Sequence, residues 1–145
     1  MVVEGAAGGN ALLAAQIALV LTERGLGGND VDLNHRLDAL RRDLLWAHAE
    51  AEAFEPQGRY PKDASAYVRA WYAPAAAEEL LHFRSLVEQV GSADVLRIVL
   101  ARSARSARRT AHFDLEFPRE PQLQPYWCFK HRRECRPVEA ARRFL

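Results

Sequence analysis

Cysteine is scarce in this 145-residue sequence. There are two, too few for a disulfide scaffold, so reduced thiols in a cytosolic chain are the expectation. Long apolar runs are missing as well. The longest, Ala11 to Leu21, is broken by Gln16 and is too short to span a bilayer. No Lys or Arg precedes it, so it does not read as a secretory signal, and no membrane partner is expected. The glycines at positions 5–9 do not follow a strand with the spacing of a dinucleotide fingerprint. No phosphate-binding Gly-Lys loop and no nucleophile elbow occurs, and the sequence contains no Pro-Pro pair.

What remains is an ordinary globular composition, 49% hydrophobic and 27% charged. Its length suits a single helical domain or a fragment of one. The formal charge of +1 hides a polarity along the chain. Residues 1–100 carry nine Lys and Arg against fourteen Asp and Glu; residues 101–145 carry eleven against five. The two parts are therefore −5 and +6. A basic C-terminal third directs attention to an anionic partner there.

Periodicity predicts a mainly α fold of about four helices with an irregular Pro- and aromatic-rich C-terminal arm. Three parts follow: N-terminal helices in 1–55, central helices in 63–109, and a basic aromatic arm with a short helix in 110–145. Asn10 to Arg24 reads as a helix capped by Asn10 and ended by Gly25, Gly27 and Gly28. The next has Leu33, Leu37, Leu40, Leu44 and Ala47 on one stripe, with Asp30 or Asp32 at its start, and runs to about Ala53. Pro56, Gly58 and Pro61 make a linker. Residues 63–72 form a short helical turn. Pro74 then opens a helix with Glu78 and Glu79 complementing its dipole, the stripe Leu80, Phe83, Val87 and Val90, and Gly91 as its stop. Ser92 caps a further helix that runs to about Arg109. Between His112 and Trp127 there are three prolines and no helical period, and Pro137 opens a last short helix.

Two features could carry chemistry. On the helix ending near Arg109, the spacing of Arg102, Arg105 and Arg109 puts them on one face with Arg108 beside it. The small residues Ser103, Ala104, Ser106 and Ala107 would let a backbone or a phosphate approach. Guanidinium forks suit phosphate oxygens. The plainer alternative is a solvated helix end whose arginines pair with carboxylates. The second feature is Cys128, His131 and Cys135, a C-x2-H-x3-C run able to grip one tetrahedral zinc ion, with His112 as the natural fourth ligand and Asp114 a weaker one. The alternative is a pair of packed, reduced cysteines beside an unrelated surface histidine. Phe113, Phe117, Tyr126, Trp127 and Phe129 interleave with Arg119, Lys130, Arg132, Arg133 and Arg136. Such rings can stack on bases, although most are expected to close a small core. His35, His48 and His82 have no catalytic partners in sequence and are read as structural or exposed.

The runs WYAPAAAEELLHFR at 71–84, LRIVLARSARSARRTAHFDL at 96–115 and EPQLQPYWCFKHRRECRPVE at 120–139 resemble a segment of site-specific DNA methyltransferases. These S-adenosylmethionine-dependent enzymes methylate adenine N6 or cytosine N4. The run at 127–137 is the most specific, and residues 29–50 fit more loosely. In that family the segment is a mainly helical insertion between the cofactor-binding and catalytic motifs. Neither motif occurs in this sequence: the Asp-Pro-Phe-x-Gly-x-Gly-type cofactor loop and the Asp/Ser/Asn-Pro-Pro-Tyr/Phe catalytic motif are both absent.

The resemblance therefore implies a partial or split methyltransferase component that contributes DNA contact or domain packing. S-adenosylmethionine would be bound only in a complete enzyme, with the remaining parts on another chain. The expected phosphate contacts are Arg102, Arg105, Arg108 and Arg109, then Lys130, Arg132 and Arg133. A stand-alone nucleic-acid-binding module with a zinc site, or a helical module that meets an acidic protein, are the alternatives.

Overall fold

The computed structural model describes residues 30–111 and 118–145. The helix read at Asn10 to Arg24 lies outside the described residues. So do His112, Phe113, Asp114 and Phe117. The described part is mainly α, as the periodicity predicts: α1 (Asp30–Ala53), α2 (Ala66–Trp71), α3 (Pro74–Val87) and α4 (Ala93–Ala107). A short antiparallel hairpin follows, β1 (Tyr126–Cys128) with β2 (Arg133–Cys135), and then a 3₁₀ turn, Arg142–Phe144. No described helix is long and apolar enough to cross a membrane.

The chain divides into two compact units between Trp46 and Ala47. In the first, α1 carries the predicted stripe, with Leu40 buried and Leu33, Leu37 and Leu44 half-buried. The helix already begins at Asp30, so Asp32 is not its cap. Asp32 instead pairs with Arg36 one turn on, at 3.2 Å.

The second unit, Ala47–Leu145, holds most of the described core. Ala47 and Ala51 are buried at the end of α1. The following loop is tied down. Gly58, at φ 73°, donates its N–H to the Glu78 carboxylate at 2.8 Å. The Tyr60 hydroxyl donates to the Tyr72 carbonyl at 2.7 Å, and the Arg69 guanidinium donates to the carbonyls of Ala64 and Pro61. Ser65 caps α2 by accepting from the Val68 N–H. Tyr72 and Ala73 are extended, the conformation favoured for Ala73 directly before a proline, and Pro74 opens α3.

α3 packs on α4 through Leu80, Phe83, Leu86 and Val87 on one side and Leu96 and Val99 on the other, all buried. α3 ends at Val87, before Val90 and Gly91. Ser92 stands at the N-cap position of α4, but its side chain makes no capping bond.

Glu78 and Glu79 do not serve the α3 dipole, because they stand beyond its first turn. Glu79 is 3% exposed and accepts from the Ala141 N–H at 2.5 Å, the Arg142 N–H at 2.9 Å and the Arg142 Nε at 3.3 Å. The other end of that guanidinium donates to the Phe54 carbonyl at 2.7 Å. This node explains why the expected helix from Pro137 is reduced to one 3₁₀ turn. The amides of Ala141 and Arg142 go to a carboxylate of α3 and not to carbonyls of their own segment. Val138, Ala141 and Leu145 are thereby seated in the core.

Removing a partner from a buried, hydrogen-bonded ion pair is strongly destabilising. Glu79→Ala is expected to lower the free energy of unfolding by about 3 kcal/mol, read as a shifted urea midpoint. A midpoint unchanged from the parent chain would show that the node does not hold the C-terminal segment.

Candidate metal centre and basic surface

The hairpin register pairs Tyr126 with Cys135, Trp127 with Glu134 and Cys128 with Arg133. Side chains alternate across a strand, so Tyr126, Cys128, Arg133 and Cys135 share one face while Trp127 and Glu134 share the other. The two cysteines are thus diagonal neighbours on a common face; both are buried and neither is in a disulfide. His131 lies in the connecting turn, which closes with Arg132 at φ 52°. That left-handed conformation costs a residue with a Cβ about 1 kcal/mol, so the turn is specified by more than its own preference.

The turn brings His131 back over the thiols. Its Nδ1 lies 3.6 Å from Cys128 Sγ and 3.4 Å from Cys135 Sγ. All three ligand atoms fall within 4.8 Å of one another, so the group could hold a metal ion. For tetrahedral zinc with ordinary Zn–S and Zn–N bonds, the S···N edge is about 3.6 Å. The observed spacing fits that edge. Thiol hydrogen bonds explain it less well: Nδ1 has one lone pair or one hydrogen and here faces two sulfurs at once. His131 is exposed, which leaves one side of the group open to solvent.

The basic surface is less regular than the spacing suggests. Arg102 and Arg105 lie on α4, three residues apart and exposed. α4 ends at Ala107, however, and Arg108 is already extended, so Arg109 does not continue their face. Backbone bonds fix Arg109 elsewhere: its N–H donates to the Trp71 carbonyl and its carbonyl accepts from the Gln122 N–H, each at 2.7 Å. Arg108 is half-buried, and its Nε donates to the Arg105 carbonyl at 3.3 Å. It also lies near Tyr72. Burial and then the Tyr67 phenol push the Tyr72 phenol above its usual range, and Arg108 opposes that rise.

The small residues of α4 serve the fold. Ser103 and Ala107 are buried, and Ser103 Oγ donates to the Phe144 carbonyl at 2.6 Å. The backbone that approaches is the chain's own. By contrast, no acidic side chain pairs with Arg102, Arg105, Lys130, Arg132 or Arg133 among the described residues. Arg105 stands in the last turn of α4, where a cation complements the helix dipole.

Part of the sequence has a relative. The chain is 38% identical over 82 residues to the Type II methyltransferase M.MjaII of Methanocaldococcus jannaschii. That match takes in 54% of this chain and 16% of the relative, so the chain spans about a sixth of that protein's length. No family model matches the chain. No solved structure matches it either.

Some residues were not legible in the sequence. Glu79 reads from sequence as a helix-start charge, and nothing there singles out Arg142, yet the two form the anchor described above. Trp127 and Phe129, expected among core rings, are 57% and 76% exposed. The alternation of a hairpin would have placed Trp127 opposite the thiols, but a three-residue strand is too short to announce itself by period. Of the three histidines read as structural or exposed, His35 is exposed, His48 is half-buried, and His82 stacks on Phe54 at 4.2 Å.

The arginines should separate by substitution. Arg108→Ala is expected to cost about 1 kcal/mol of stability, through its hydrogen bond and packed stem. Arg102→Ala and Arg105→Ala should each stay within about 0.5 kcal/mol. Urea unfolding of the three variants checks this, and equal losses in all three would contradict it.

Proposed function

We propose that this chain is the helical insertion segment of an amino-methylating DNA methyltransferase, and that its task is to hold DNA. The similarity over 82 residues to a Type II methyltransferase carries this reading. The exposed cations Arg102, Arg105, Lys130, Arg132 and Arg133 support it. Methyl transfer would fall to sequence outside these 145 residues, since neither the cofactor loop nor the Pro-Pro-Tyr motif occurs here. S-adenosylmethionine would be held by those other parts, with the remainder of the enzyme as a partner of this chain. Arg102 and Arg105 are the first phosphate contacts, and Lys130, Arg132 and Arg133 the second. Arg108 and Arg109 contribute chiefly through the packing and backbone bonds that shape this surface.

Zinc is the metal that this ligand set favours: two soft thiolates and one imidazole, with a fourth position left for water or a further side chain such as His112. Its task would be structural. It would fix the turn that carries Lys130, Arg132 and Arg133, and two thiolates would offset their positive charge.

The chain alone is expected to bind duplex DNA with little sequence preference and to transfer no methyl group. Arg102→Ala with Arg105→Ala should weaken binding and reduce the slope of log K against log salt by about one unit for each phosphate no longer neutralised. An unchanged slope would remove these arginines from the interface. After dialysis the chain should retain one zinc per molecule, and Cys135→Ser should lose it; equal zinc in both proteins would refute the assignment of this ligand.

A further inference from the structure

The hairpin presents more than charge. Trp127 and Phe129 are among the most exposed large apolar side chains described, at the tip of a two-stranded element. Trp127 lies on the face opposite the two thiols, with Glu134 across from it. Phe129 begins the turn that continues through Lys130, His131 and Arg132. Two rings and the cations Lys130, Arg132 and Arg133 therefore project from one short segment, with Glu134 the one acidic residue within it.

We infer that this tip is a stacking site for unpaired nucleotide bases, with the adjacent cations taking the phosphates. The inference rests on the DNA-contact reading above and names the form of DNA that the hairpin selects. A π-face beside a cation matches a base beside its phosphate, and stacking of this kind tolerates any base. A protein interface also enriches Trp, Phe and Arg, but Lys130 and Glu134 are of the types it depletes, and the similarity to a DNA-modifying enzyme favours a nucleic acid. A closed duplex fits less well too: its bases already stack on each other and offer a protruding ring no free face.

The metal group makes the tip suitable for this work. The thiols and His131 lie on the inner side of the same turn, so the rings are carried on a closed frame and need little ordering on binding. Glu134 beside Trp127 offers a carboxylate to an exocyclic amino group, which adenine and cytosine possess and thymine lacks.

The test uses the full chain and three labelled probes: a single-stranded oligothymidylate, a mixed-sequence single strand, and a duplex of the same length. Binding is followed by fluorescence anisotropy at low salt. Trp127→Ala with Phe129→Ala should weaken both single strands about tenfold or more and leave the duplex within about twofold. Trp127→Tyr with Phe129→Tyr keeps the rings and should restore single-strand binding to near the parent value. Equal binding of single strands by the parent and the alanine variant overturns the inference, and so does a ring-retaining variant as weak as the alanine one. Failure of the parent to bind any probe would instead overturn the DNA-contact reading beneath it. Parent-like duplex binding with no effect of the rings on single strands sinks the stacking site alone. If neither rings nor cations affect DNA, and the alanine variant no longer captures a methyltransferase subunit, the tip is a protein contact and the inference is wrong.

Discussion

The structure of the second unit turns on one buried carboxylate. Glu79 stands on the packed face of α3, where an unpartnered charge would be costly. It is satisfied by two backbone amides and a guanidinium, all from Ala141 and Arg142. Through Arg142 the same node reaches the end of α1 at the Phe54 carbonyl. The C-terminal segment, too short and too rich in arginine to bury itself, is thereby held against α3 and α4. Ser103 adds a second tie from α4 to the Phe144 carbonyl. With residues 138–145 fixed in this way, the chain just before them is fixed at one end, and that chain is the hairpin.

The hairpin is bound at its own level by different chemistry. Its strands are three residues long, and an isolated ladder of that size has marginal stability in water. A left-handed residue in its turn adds a further cost. A metal ion held by the two thiols and the imidazole would offer the missing stabilisation at little loop-closure cost, because these ligands are separated by seven residues at most. The ligand group and the exposed tip belong to one hairpin: the thiols share a face with Arg133, Trp127 stands on the other, and Lys130 and Arg132 lie in the turn between the strands.

Much of the helical architecture was legible beforehand, since it rests on local rules. The leucine stripe of α1, Ser65 ahead of α2, Pro74 opening α3 and the apolar start of α4 each follow from spacing or capping. That Cys128, His131 and Cys135 meet was legible for the same reason, as three side chains within eight residues need only one turn to come together. The parts that escaped depend on distant partners. Glu79 meets residues 62 and 63 positions away, and nothing at either end marks the meeting. Arg109 satisfied the helical spacing, but its backbone was claimed by Trp71 and Gln122, so the helix ended two residues before it. Pro137 suited a helix start, yet the amides that would have continued the helix were taken by Glu79.

The proposed function rests on a short segment similar to a methyltransferase and on exposed cations beside three side chains that could hold a metal ion. Its central claim is that Cys128, His131 and Cys135 form one zinc centre. X-ray absorption at the zinc edge, on the full chain carrying one equivalent of metal, tests this most directly. The account predicts a shell of two sulfurs at about 2.3 Å with nitrogen or oxygen completing four ligands at about 2.0–2.1 Å. A shell of nitrogen and oxygen alone, or one with a single sulfur, would contradict it.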